Sequence, residues 1–578
     1  MDTLKKIGFL QELIILFLFI LLINNYFGNK RPVILADGKG YYEYLPSIFI
    51  YNDLSFNYTD TLVSEFYDHK ITSKGYLPLI EDNKVNKYFV GTAVAQAPFF
   101  FLAHLIAINN PDLIADGYSL IYQDFVFYAA LFYLFIGLIF IRKLLQYQKV
   151  PIAYIFAIQI AILFASSLMY YVVSLPSFSH VYSFAFINIF LFLIAKYSMT
   201  NKNSLLYFAS AILGIILLIR PVNGLVVLFI PFIFNDAKSF WSAFLLLFTH
   251  KKKTIIFSAL IITLLISIQS FIWYLQTGSL FIKSYQDERL ILSQPQMIKF
   301  LFSYQKGFFV YAPVFLFLIM VGTINYVRNK NTWKLVSFYL AFIITIYVLS
   351  SWWVWYYGAS LGSRVMIDYY GVIALFGSTF FIHRKIIFKS LAILLIGIFA
   401  YLAIIQTYQY DNYILHWTSM NKERYWRIFL KTEDKYKGVL WYTTYYPKKE
   451  DLFYSNSIKN QPYLNQNPPK TILIDSIKID SNQTISKQVA VKLIYEIRCS
   501  ECTDKVLVTI DDTYRKNKYY FSRHLFYGTQ KENFSGTATI NLKLEGYNPS
   551  SDYLNIYLIK QEKTSEIDSF NIELFNLD

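Results

Sequence analysis

The sequence predicts a polytopic α-helical membrane protein that ends in an all-β domain. Three observations predict it. The 578 residues are 55% hydrophobic and only 16% charged, with a mean hydropathy of +0.38, less charge than a soluble chain carries. Apolar runs long enough to cross a bilayer recur up to about residue 407. From about residue 437 the pattern changes to alternation with a period of two.

The spans begin near residues 8, 122, 151, 180, 204, 222, 254, 308, 335, 369 and 387, about eleven in all, of which 222–235 and 369–383 are short. With the N-terminus inside, alternation puts six groups on the cytoplasmic side. They are Lys5 and Lys6; Arg142, Lys143 and Lys149; Lys196 and Lys202; Lys238 and Lys251 to Lys253; Arg328, Lys330 and Lys334; Arg384, Lys385 and Lys389. Every inner segment is basic, and the outer link "SLPSFS" (174–179) is uncharged, as the positive-inside bias requires. The same bias accounts for the net charge of +15 without a nucleic-acid partner. The first run, about 8 to 26, has no small-residue cleavage site after it and reads as an uncleaved signal anchor.

The stretch "VGTAVAQAPFFFLAHLIA" (90–107) is apolar enough for a further span. Counting it would put "IRKLLQYQK" outside and invert every later loop. It therefore reads as a helix lying along or dipping into the outer leaflet. The first outer loop then runs from 27 to 121. The other outer segments are 274–306, 352–368 and everything after about 407. Residues 277–307, with Lys283, Tyr285, Asp287, Glu288 and Arg289, read as a juxtamembrane helix.

The expected modules are 1–436 in the membrane and 437–578 outside it. In the tail, "TILIDSIKID", "KVLVTIDD" and "TATINLKLEG" read as strands of a β-sandwich of roughly 140 residues. The two cysteines, Cys499 and Cys502, form a lone C-x-x-C there, which fits a local disulfide or idle thiols better than zinc. No convergent His and acid spacing points to a metal, and His104 stands alone.

The ionisable groups locate the chemistry. Ion-coupled carriers place acids or bases near the midplane. Here the span interiors are almost free of charge: Glu12 falls near an inner end, and Asp124, His180 and Arg220 fall at outer ends. Polar chemistry is expected at the outer surface, on a substrate with a lipid tail and a polar head.

Four outer constellations carry the candidates. Asp37-Gly38-Lys39-Gly40-Tyr41-Tyr42, followed by Glu43, reads as a flexible turn just outside the first span. An acid beside aromatics at a membrane surface is expected to have a raised pKa and to serve as general base toward a hydroxyl. An interfacial aromatic belt would look the same. In "LIRPVNG", Arg220 either binds a phosphate through paired hydrogen bonds or snorkels. "SSWWVWYYGASLGSRVMIDYYG" (350–371) brings Gly358, Gly362, Arg364 and Asp368 to the outer face among aromatic anchors. In "SLPSFSH", with Ser177 and Ser179, His180 opens a helix whose amide end either assists an anion or is simply a satisfied cap.

These features together resemble the GT-C class of polyprenyl-phosphate-sugar glycosyltransferases, on the branch of protein O-mannosyltransferases and lipid A aminoarabinose transferases. The resemblance covers about 8–440 as topology. It rests on an acid just outside the first span, a long first outer loop, a proline-bearing apolar helix (Ala97-Pro98-Phe99) ending that loop, and an outer C-terminal domain. It implies a GT-C-like fold in the inner (plasma) membrane with Asp37 as the catalytic base. Arg220, Arg364 and Lys39 would meet the donor phosphate, and Tyr41, Tyr42, Glu43, His180 and Asp368 would contact substrate. The class often carries a second acid directly after the first. Gly38 stands there instead, and Glu43 is the nearest substitute.

The implied partners are a polyprenyl-phosphate sugar, membrane lipids and a glycan, lipid or protein acceptor. No cofactor and no catalytic metal is implied. One displacement would invert the sugar. The same layout also accommodates a polymerase or ligase with a diphosphate-linked glycan donor, or a flippase or carrier for a lipid-linked glycan. A scaffold displaying the β domain also fits, though eleven spans are excessive for an anchor.

Overall fold

The computed structural model describes residues 2–24, 32–59, 76–80, 83–418, 420–433 and 436. In the tail it describes 452–459, 470–478, 488–498, 505–511, 517–524, 534–543, 553–560 and 566–576. The chain divides into two compact units, Met1–Thr407 and Tyr408–Asp578.

The first unit is helical. The helices that position the site are α1 (Asp2–Leu22), α2 (Asp37–Tyr42), α3 (Gly91–Ile108), α4 (Leu120–Tyr147), α5 (Ile152–Phe164), α6 (Ser179–Thr200) and α7 (Asn203–Ile219). They continue with α8 (Ala237–His250), α9 (Lys252–Thr277), α10 (Pro313–Arg328), α11 (Thr332–Ser350) and α12 (Ile386–Asp411). Tight 3-10 segments cover Pro221–Phe229 and Arg364–Tyr369. A two-stranded hairpin, β1 (Leu79–Ile80) with β2 (Asn83–Lys84), lies between α2 and α3.

Among the described residues, seven helices are long and apolar enough to cross a membrane, or up to eight if the bent pair Pro221–Ile233 and Ala237–His250 counts as one. The sequence reading expected about eleven. The difference is length, because Leu10–Leu22, α5, α7 and α10 are apolar but short. The bent pair turns by 119°, where Asp236 caps α8 by accepting from the Ser239 amide at 2.8 Å. Helix α3, expected to lie along the outer leaflet, is itself one of the seven. It runs antiparallel to the first half of α4. Tyr133 donates to the Ala95 carbonyl at 3.0 Å, and His104 Nδ1 lies 2.6 Å from the Tyr122 hydroxyl.

Side-chain pairing fixes the helix directions. Tyr133 packs on Tyr182 and Phe140 on Phe192, so α4 and α6 run parallel. Tyr207 packs on Phe257 and Gly214 abuts Leu265, so α7 and α9 also run parallel. At one end of the bundle Arg142 Nε donates to Glu12 at 2.9 Å, and Gln159 donates to the same carboxylate at 2.7 Å, joining α1, α4 and α5. Both ionised groups are buried, so each neutralises a charge the interior would not tolerate alone. The start of α6, with His180, lies at the opposite end.

Among its described residues the second unit holds eight strands: β3 (Leu452–Lys459), β4 (Lys470–Ile477), β5 (Gln488–Arg498), β6 (Lys505–Asp511), β7 (Asn517–His524), β8 (Phe534–Lys543), β9 (Tyr553–Lys560) and β10 (Glu566–Asn576). They form two four-stranded sheets, ordered β3-β10-β5-β8 and β4-β9-β6-β7, with all described pairings antiparallel. Val491 and Leu493, Leu554 and Ile556, and Phe570, Ile572 and Leu574 are buried at every second position, one face per strand. Cys499 and Cys502 lie outside the described residues.

Candidate active site

The stretch after the first span is a short helix, α2, and not the flexible turn the glycines led us to expect. Ala36 enters it at φ 48°, ψ −130°, a backbone region costly for a residue with a side chain. The helix sorts its side chains by face. Asp37 and Tyr41, four apart, share one face and line a cavity of about 1020 Å³. Gly38 faces the other way, where a Cβ would lie 1.9 Å from Ser177 Oγ. The second acid implied by the resemblance therefore has no room at this position.

Asp37 Oδ2 pairs with Arg364 Nη2 at 2.7 Å, the acid 29% and the arginine 14% exposed. Arg364 also lies over the Phe178 ring at 5.4 Å. Its loop is held from behind: buried Lys306 donates to the Ser360 carbonyl, and Gly362, at φ +62°, leaves a Cβ only 2.8 Å from Tyr311. Burial pushes the Asp37 carboxyl up. The Arg364 charge, hydrogen bonds from Tyr88 and Arg364, and the Lys87 charge outweigh that and hold it below the usual carboxylate value. The raised pKa expected from the sequence is absent because a guanidinium sits on the acid.

A second group stands beside the first. Asp368, fully buried, accepts from Arg220 Nη1 at 3.1 Å and Asn223 Nδ2 at 2.8 Å. His180 Nδ1 lies 3.1 Å from Asp368 Oδ1 and 3.2 Å from Arg220 Nη1. Arg220 and Arg364 line the cavity; His180 and Asp368 do not, and stand behind Arg220.

Three loops supply aromatic side chains to the cavity's other walls. Tyr41 and Tyr88 rings are 4.4 Å apart. Tyr285 meets Trp352 edge-on at 5.7 Å, and Trp352 stacks on Tyr357 at 6.4 Å. Residues 278–296, expected as a juxtamembrane helix, form a loop without a helix until Met297–Phe302. This loop fastens to the first outer loop through Lys87–Glu288 at 2.9 Å, Ser284 to the Lys87 carbonyl at 3.0 Å and Gln286 to the Leu79 carbonyl at 2.8 Å. On its far side the Trp353 amide donates to the Arg289 carbonyl at 3.0 Å.

Besides His180 and Asp368, three further proposed site residues lie away from the cavity lining. Lys39 is buried, its Nζ 5.8 Å from the Tyr76 ring centroid. Tyr42 donates to the Gly117 carbonyl at 2.5 Å. Glu43 is buried and accepts from Tyr118 at 2.7 Å, Tyr58 at 2.9 Å and Tyr76 at 3.4 Å. Burial pushes the Glu43 carboxyl up against the opposing pull of Lys39 and the tyrosines. Sequence reasoning missed Lys87 and Tyr88; the available signal was a Lys-Tyr-Phe triplet placed directly before an apolar helix in the outer loop. Among the described residues no group of three or more His, Cys, Asp or Glu side chains could hold a metal ion.

No family model and no curated protein matches the chain. A solved structure, the single-particle cryo-EM structure of arabinosyltransferase EmbB from Mycobacterium smegmatis, aligns at a TM-score of 0.32 and 9% identity over 85% of this chain. The match covers 61% of that chain, so this protein spans about three fifths of its length.

Proposed function

We propose that this protein is an integral membrane glycosyltransferase of the GT-C type. It moves a sugar from a polyprenyl-phosphate donor to an acceptor hydroxyl at the outer face of the inner membrane, and the β domain after about residue 437 lies outside. One observation carries the reading: an acid and two arginines from three separated outer segments converge on one cavity at the helix ends where loop charges put the outer surface.

The acceptor oxygen attacks the anomeric carbon while the carbon–oxygen bond to the phosphate breaks. The electron pair leaves on the phosphate, and the hydroxyl proton passes to Asp37. One displacement inverts the sugar. Arg220 and Arg364 face the phosphate as its charge grows, in a site with limited water. Arg364 couples the two ends of the reaction. A donor phosphate competes with Asp37 for the guanidinium, so the acid regains basicity when the donor is in place. Tyr41, Tyr88, Tyr285 and Trp352 offer ring faces to the sugar.

The test is transfer of a labelled sugar from a polyprenyl-phosphate donor by membranes carrying the protein. Wild-type transfer with loss in Asp37→Asn is expected. Equal transfer by both removes Asp37 as base, and liposomes that move the lipid-linked sugar without transferring it refute the enzyme.

A further inference from the structure

Helix α8 lies at the end of the bundle opposite the cavity. Helix α6 runs from His180, beside the site, to Thr200 at the other end. There Lys251, the residue after α8, donates from Nζ to the Asn201 carbonyl at 2.8 Å and to its side-chain oxygen at 2.9 Å. Before α8 the chain turns by 119° from the segment Pro221–Ile233, so α8 lies across the bundle. The joint is sewn to the first turn of α11. Trp333 Nε1 donates to the Pro231 carbonyl at 3.0 Å, and Lys334 Nζ donates to the carbonyls of Phe232 at 2.5 Å and Ile233 at 3.0 Å. Helix α8 is therefore a fixed ledge and not a free arm.

At about 100° per residue the helix sorts its side chains into three arcs. Phe240, Ala243 and Leu247 turn toward the bundle, where Phe240 packs on Trp333 at 5.7 Å. Trp241, Leu245 and Phe248 form a second apolar arc, each more than half exposed. Lys238, Ser242 and Thr249 share the third, a polar stripe within about 40°. An exposed apolar arc beside a polar stripe is the pattern of a helix lying in a membrane interface. The charge around it has one sign. Lys196, Lys202, Lys238, Lys252 and Lys253 are exposed. The only acid from residue 190 to 260 is Asp236, and it is engaged as the α8 N-cap, accepting from the Ser239 amide at 2.8 Å.

We infer that α8 and the lysines at its two ends bind anionic phospholipids of the leaflet opposite the cavity, which loop charges assign to the cytoplasmic side. Trp241, Leu245 and Phe248 enter the acyl layer, and Lys238, Lys252 and Lys253 meet the headgroup phosphates. The ligand is a lipid because the lysines flank an apolar arc. A free phosphate would satisfy the lysines and leave that arc in water. Each lysine near such a surface adds about fivefold in affinity. The site stands apart from donor and acceptor, and it holds whether or not the protein transfers sugar.

Fluorescence of the purified full chain in nanodiscs tests it. The Trp241 signal is the difference between wild type and Trp241→Phe. Brominated phosphatidylglycerol, diluted in phosphatidylcholine, should quench that signal at least threefold more than brominated phosphatidylcholine at the same dilution. Replacing Lys238, Lys252 and Lys253 together by Gln should remove the preference, and replacing them by Arg should keep it. Raising the salt concentration should weaken the preference in the unaltered chain, because screening shortens the reach of the lysines. That measurement needs no variant to fold. Equal quenching by both lipids, a preference that survives the triple Gln change, or one indifferent to salt overturns the inference. None of these readings uses sugar transfer, so failure here leaves the transferase untouched and failure of the transferase leaves the site untouched.

Discussion

The carboxylate of Asp37 and the guanidinium of Arg364 form a direct ion pair that opens onto the cavity. The pair joins the segment after the first helix to the last outer loop, 327 residues along the chain by difference of their numbers. Replacing the acid removes the arginine's partner and, on the proposed mechanism, the proton acceptor. Asp37→Asn should lower transfer about 10²- to 10⁴-fold, the range for losing a positioned general base. Asp37→Glu should recover part of the activity. Sugar-transfer kinetics alongside thermal unfolding separate this from loss of fold.

The same pair gives a pH signature. The folded-state pKa of Asp37 lies below its ordinary value of 3.8. Its stabilising contribution is therefore fully present above 3.8 and is lost as pH falls through the lower folded value. Arg364→Gln should raise that value. The acid limb of kcat/KM, which reports the free enzyme, should move to higher pH. In the wild type the limb of kcat should lie above that of kcat/KM, since the bound donor engages Arg364. Coincident limbs in a pH–rate profile would remove the coupling.

The contact between α2 and the 174–179 link is tight enough to test by adding one carbon. Gly38→Ala puts a Cβ 1.9 Å from Ser177 Oγ and 2.8 Å from its Cβ. Overpacking of this kind costs about 1–3 kcal/mol. Ser177→Gly in the same chain should restore most of the lost melting temperature.

Asp368 separates positioning from chemistry. It is fully buried and holds Arg220, Asn223 and His180. Asp368→Asn leaves Arg220 without its counter-charge, and breaking a buried pair costs about 3–5 kcal/mol. KM for the donor should rise more than kcat falls. A loss confined to kcat would make Asp368 part of the bond-breaking machinery.

Glu43 offers the opposite expectation. Its three tyrosine partners lie outside the cavity lining. Glu43→Gln should change thermal stability while leaving KM for donor and acceptor within about twofold. Glu43→Leu leaves the tyrosine hydroxyls unpaired and should cost about 1–3 kcal/mol more.

The rim of the site was legible because ionisable groups at span ends can be grouped at one level by counting loops. That reasoning grouped Asp37, Arg220, Arg364, His180 and Asp368 at one level, and the side chains meet there. It failed within the stretch 37–43, where two glycines read as a turn. A helix would have put Asp37 and Tyr41 on one face and Lys39, Tyr42 and Glu43 on others. Lys87 and the loop 278–296 were out of reach because loops without periodicity do not reveal which distant strand or loop they fasten to. The tail's alternation is local, and the runs read as strands coincide with β4, β6 and β8.

The Lys87–Glu288 ion pair and its two neighbouring hydrogen bonds fasten together two loops that both line the cavity. On the proposed mechanism a small acceptor enters with this fastening closed, whereas a polymer needs it open. Loop motions of this size take nanoseconds to microseconds when free and longer when fastened. Partly exposed charges are screened by salt. Turnover on a polymeric acceptor would then quicken as ionic strength rises, while turnover on a monosaccharide acceptor stays level. The fastening would act as a clock on one class of acceptor and be invisible to the other.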